Sequence, residues 1–328
     1  MSSPGKQIYY RLTALWVICE SMLGGLIHGL QLPISGLLVG SCAVVCICLI
    51  AHYAPGKGNI LRATLIVCIF KLMLSPHSPP MAYVAVLFQG FMGELLFRLR
   101  RRYAIICMLF AVIALLESAM QRIIIMTVIF GMDFWKAFND FTEGIVGKSA
   151  NYSMMLITLY VVGHLAAGII VGRFAAIIPS RVKDWKTLES GLREPRLREP
   201  QAADERKHYL RNGLLITWIV LLSLYLQSTL SPSHSILPST LTGHILFRSI
   251  IVVLTWVFVF SPIVMSLLRR WLEKQKIKLR GDIEEIATIL PTMRLIVSSS
   301  WKKSSSSKGL RRINQFSKLV LVQSLSVS

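Results

Sequence analysis

Apolar runs of membrane-crossing length alternate with short polar breaks along most of this chain. About 20 helical residues cross a hydrocarbon core of about 30 Å, and a helix keeps its backbone polar groups paired where lipid offers no partner. The pattern predicts spans over residues 12–30, 34–52, 60–74, 81–97, 103–132 and 152–178, then two more over 213–230 and 245–268. The breaks carry turn formers or charge: Gln31-Leu32-Pro33, the turn 54–59, the proline cluster 75–80 and the arginine cluster 98–102. The expected fold is an all-α, polytopic transmembrane helix bundle of about eight spans with an amphipathic C-terminal tail. It divides into a six-helix transmembrane block (1–179), a linker (180–212), a two-helix transmembrane block (213–268) and a basic tail (269–328).

Three segments break the pattern. In 133–148, Phe134, Trp135, Phe138, Phe141 and Ile145 recur at helical spacing between polar residues, as in a helix lying at a membrane interface. In 180–212 a short repeat, Leu192-Arg193-Glu194-Pro195 and Leu197-Arg198-Glu199-Pro200, mixes charge with proline and reads as a linker. In the tail, Ile283, Ile286, Ile289 and Leu290 share a helix face with Glu284 and Glu285 opposite, and Pro291 is expected to kink or end that helix. A flexible serine-rich link (298–307) and a second surface helix (310–325) should follow. Basic and apolar residues at helical spacing suit either the inner leaflet or a protein partner.

Charge sets the orientation. Of 328 residues, 54% are hydrophobic and 16% charged, with 36 Lys and Arg against 16 Asp and Glu. With the N-terminus inside, the inner segments hold Lys6, Arg11, Lys57, Arg62, the arginine cluster, the linker and the tail. The outer segments hold only Lys136 and Lys148. The positive-inside rule therefore places both termini in the cytoplasm of an inner-membrane protein. The net charge of +20 is then explained by anionic lipid, and no nucleic-acid module is visible. The first apolar run is full length and lacks a small-residue cleavage site, so it is expected to stay as a span. The six cysteines lie in apolar runs without paired metal spacing and read as buried small hydrophobes.

No P-loop, HExxH or GxSxG motif occurs, so no catalytic role, cofactor or metal is expected. The informative residues are polar groups at membrane depth, which face a cavity, a partner or a pathway. Glu20 lies about 13 Å into the first span and Lys71 about 16 Å into the third. Either they pair across helices or they coordinate a solute. Glu94 and Arg98 have i,i+4 spacing and suit an ordinary pair. His28, Gln89, Glu117, Gln121 and His164 complete the candidate solute-binding set; each histidine also fits a plain inter-helix hydrogen bond. The pairs Gly25/Gly29, Gly36/Gly40 and Gly168/Gly172 permit close helix packing, within the chain or onto another subunit.

The compact six-span block, its small-residue first span with the turn Leu30-Gln31-Leu32-Pro33-Ile34-Ser35-Gly36, and proline-rich outer segments such as 75–80 resemble the S components of bacterial energy-coupling-factor transporters. That resemblance covers residues 1–178 and is one of layout. It implies a subunit that binds a small molecule or ion from outside and passes it inward with a transmembrane partner and ATPase subunits. The last two spans and the tail depart from that family. The competing expectation is a membrane scaffold or assembly factor that works through its basic tail.

Overall fold

The computed structural model describes residues 4–23, 35–75, 78–99, 102–189, 219–220, 222–223, 225–227 and 239–326. Among these residues all regular structure is helical. In chain order the helices are α1 (Pro4–Ile18), continued by a π-helical turn (Cys19–Leu23), α2 (Ser35–Tyr53), α3 (Asn59–Leu74), α4 (Pro80–Phe97), α5 (Tyr103–Phe130), α6 (Met132–Val146) and α7 (Tyr152–Glu189). Then come α8 (Ser239–Thr255), a π-helical turn (Trp256–Phe260), α9 (Ser261–Lys278), α10 (Arg280–Lys303) and α11 (Gly309–Leu325). Five helical stretches are long and apolar enough to cross a membrane: Gly36–Tyr53, Pro80–Phe97, Tyr103–Phe130, Tyr152–Val182 and Thr240–Lys278. They are consistent with a membrane protein. Of the expected span at 213–230 only 219–220, 222–223 and 225–227 are described, all helical, and residues 24–30 of the first span lie outside the described residues.

Helix α1 is the hub. It packs on α2 and α3 on one side and on α10 and α11 on the other. Its Leu12, Ala14, Trp16 and Val17 are fully buried, although Lys6 and Arg11 interrupt the apolar pattern. The helix starts eight residues before the apolar run (Pro4 against Leu12), and protein already buries Tyr9 and Tyr10 in that added stretch. By contrast, only 11% of the most apolar window of Tyr152–Val182 and none of that of Thr240–Lys278 is buried. Their bare apolar faces suit hydrocarbon.

The glycines explain the tight packing. A Cβ on Gly168 would lie 2.8 Å from Val112 Cα, and one on Gly172 2.5 Å from Met108 Cα. The Gly168/Gly172 pair thus serves packing of α7 on α5 within the chain. Gly36 and Gly40 likewise meet Ser118 and Leu115 of α5. Gly25 and Gly29 lie outside the described residues.

Three local expectations are corrected or narrowed. Helix α7 runs through Pro179 to Glu189, into the segment expected as linker. Val182 is buried there, and Lys318 of α11 lies 5.6 Å from the Trp185 ring. Helix α10 continues through Pro291, so of the two expectations there, a kink or an end, the end is excluded. Proline removes one backbone bond, but packing of Ile286, Leu290 and Met293 holds the helix together. The serine-rich segment is no loose link either: α10 reaches Lys303 and a 3-10 turn covers Ser304–Ser306. Buried Ser299 and Ser304 donate to the carbonyls of Ile296 and Trp301, which satisfies their hydroxyls inside the helix. The expected interfacial helix is α6, with an aromatic face and Asp133 in its first turn.

Candidate functional site

At the top of α1 the chain takes one π-helical turn, Cys19–Leu23, which widens the spiral and re-aims its side chains. Glu20 and Ser21 sit in this turn, both buried. Lys71, in the last turn of α3, donates from Nζ to Glu20 Oε2 at 2.7 Å. The two side chains are only 3% and 4% exposed, so this is a desolvated ion pair. Lys71 Nζ also lies 5.9 Å from the centre of the Tyr83 ring on α4, a cation–π distance.

On α1, its π-helical turn and α4, four polar atoms are buried without a hydrogen-bond partner among the described residues: Trp16 Nε1, Ser21 Oγ, Tyr83 Oη and Gln89 Oε1. Such an atom costs about 1–3 kcal/mol when nothing completes it. Trp16 is one turn before Glu20, and Tyr83 and Gln89 are both on the buried face of α4. Gln89 reaches toward α2, where a Cβ on Gly40 would lie 3.4 Å from its Nε2. Cys42 and Cys46 on α2 lie beside Cys19. All six cysteines are free, and no three ligand-type side chains cluster as a metal site among the described residues. The set combines a fixed cation, a fixed anion, two hydroxyls, an indole donor and an amide acceptor. That inventory can hold a small polar solute by several complementary hydrogen bonds.

The structure therefore joins Glu20 with Lys71 and sets Gln89 on the neighbouring buried face. It does not gather the rest. Gln121 on α5 donates to the Met81 carbonyl at 3.3 Å, and Glu117, one turn earlier, keeps Oε2 buried and unpaired among the described residues. His164 sits on α7, which packs on α2, α5, α6 and α11 rather than on α1 or α3. Its Nδ1 is 2.9 Å from the Tyr160 carbonyl and its ring lies 4.3 Å from that of Tyr160, so it has a local partner on its own helix. His28 lies outside the described residues. Glu94 accepts from Arg98 at 3.1 Å, as its spacing suggested, and from the Gly58 backbone N–H at 2.7 Å. It pins the 54–59 turn. Tyr83 and Trp16 were missed from sequence, since an aromatic in an apolar run looks like core.

A second polar network lies at the other end of α1. Tyr10 donates to Asp282 Oδ1 at 2.9 Å, and Arg62 of α3 forms an ion pair with the same carboxylate. Burial, then the hydrogen bond to Asp282, pushes the Tyr10 phenol up to about 12. Arg11 donates to the backbone carbonyls of Gln323 and Ser326 at the end of α11. Three parts of the chain, α1, α3 and the C-terminal helices, are thereby tied together. No protein family, curated protein or solved structure matches the chain.

Proposed function

We propose that the chain is an integral membrane subunit that binds a small polar solute for uptake, in the manner of the energy-coupling-factor S components it resembles. The observation that carries this reading is the buried Glu20–Lys71 pair, with unpaired donors and acceptors on the helix that carries Glu20 and on neighbouring α4. Around a pair kept only for stability the buried polar atoms would be satisfied, whereas four without partners among the described residues leave bonds for a ligand to complete. In this reading about eight spans cross the inner membrane with both termini in the cytoplasm. A separate transmembrane subunit and ATPase subunits supply energy, and the basic tail faces them.

The test is a thermal-shift screen of the purified full chain against vitamins, other small polar solutes and metal ions. One solute should raise the melting temperature, and Tyr83→Phe and Gln89→Leu should each weaken that response about tenfold. Stabilisation by no solute, or a response indifferent to both substitutions, refutes the reading.

A second reading, a scaffold acting through its tail, is favoured by the anchoring of α10 and α11 on α1. Removal of residues 269–328 should then abolish function and spare any solute response. Full function after truncation would exclude it.

A further inference from the structure

A cavity of about 460 Å³ opens where α1, the α2–α3 turn and α10 meet. Lys6, Tyr9, Tyr10, Tyr53, Asn59, Arg62 and Asp282 line it. Its size falls in the range of small-ligand sites, about 300–1,000 Å³. It lies far along α1 from Glu20, since Lys6 and Glu20 are separated by about 21 Å of helix rise at 1.5 Å per residue.

We propose that this cavity binds one phosphate group of an anionic ligand: the phosphodiester of an anionic phospholipid or a soluble phosphate. Three observations carry it. The first is charge. Lys6 and Arg62 give two positive charges against the single carboxylate of Asp282, so the wall is short of one negative charge. The second is that the carboxylate is already engaged by Arg62 and Tyr10, while Lys6 touches only the face of the Tyr10 ring, at 5.6 Å. An incoming phosphate therefore meets a cation that carries no salt bridge among the described residues. The third is hydrogen-bonding capacity. The Tyr9, Tyr10 and Asn59 donors are engaged by the Asn59 carbonyl, Asp282 and the Ala54 carbonyl, so the half-exposed Arg62 guanidinium supplies it, and arginine suits phosphate by its two parallel donors. The first turns of α1, α3 and α10 also reach this cavity through Lys6, Arg62 and Asp282, which adds the positive ends of three helices to the same field.

The position selects the phospholipid as the first source to test, since the cavity lies at the basic ends of apolar helices. There it would hold α10 against α1 with a headgroup.

The experiment uses the delipidated full chain in detergent. Melting temperature is followed while phosphatidylglycerol, phosphatidylcholine or inorganic phosphate is added, for the wild type, Lys6→Gln and the exposed control Lys57→Gln. Phosphatidylglycerol should stabilise the wild type more than phosphatidylcholine. Lys6→Gln should weaken its apparent affinity about tenfold, the loss of one charge-assisted bond, and Lys57→Gln should not. If inorganic phosphate competes with or replaces the lipid, in a Lys6-dependent way, the phosphate site stands and its source is soluble. Equal responses to both lipids with none to phosphate, or equal losses in Lys6→Gln and Lys57→Gln, overturn the site in favour of diffuse surface attraction.

Discussion

Cutting one side of the Glu20–Lys71 pair should be among the most damaging single changes in the chain. At 2.7 Å, two unit charges attract by about 6 kcal/mol at an effective dielectric of about 20. Desolvating both groups offsets much of that, so the pair itself adds little net stability. The asymmetry lies in the single variants. Lys71→Met leaves a buried carboxylate alone, and Glu20→Gln leaves a buried ammonium beside Tyr83. Each should lose about 3–5 kcal/mol. The double variant removes both charges and should fall within about 1–2 kcal/mol of wild type, which makes the energies strongly non-additive. The measurement is a double-mutant cycle by reversible unfolding in mixed detergent micelles, followed by helicity. If either single variant stays within about 0.5 kcal/mol of wild type, or the two losses simply add, the pair is not a desolvated unit and the reasoning fails.

Gly172→Ala should cost about 1–3 kcal/mol, because the new methyl would meet Met108 Cα at 2.5 Å; Gly163→Ala, with nothing within 4 Å, should be neutral or stabilising by up to about 1 kcal/mol. The contrast can be read from detergent unfolding midpoints. Asp282→Asn should release α10 from α1 and Arg62, seen as faster tryptic cleavage near Arg280, while Glu284→Gln, which affects only an exposed pair with Arg280, should leave cleavage unchanged. Tyr10→Phe should loosen the same contact more weakly, by about 1–2 kcal/mol.

The helical periodicity was legible in the sequence because lipid-length apolar runs and their polar breaks are local features. So was the amphipathic helix at 132–146, and so was the Glu94–Arg98 pair, whose partners are one turn apart. The cross-helix pairing of Glu20 with Lys71 was one of two readings, since depth alone brings both residues to similar levels. What stayed hidden depends on distant packing. A face of isoleucines at 283–290 shows that something covers it, not that α1 does. Asp282 in a first turn looks like a helix-start acid, and only the fold places Tyr10 and Arg62 against it. Pro291 misleads as an expected helix end for the same reason: its local cost is visible and the tertiary contacts that outweigh it are not.

The bonds from Arg11 to the carbonyls of Gln323 and Ser326 join residues 312 and 315 apart in sequence. Closing a loop of that length carries a large entropic cost before any contact repays it. The seam between α1 and α11 is therefore a late contact in folding, made once α1, α2 and α3 have already packed together.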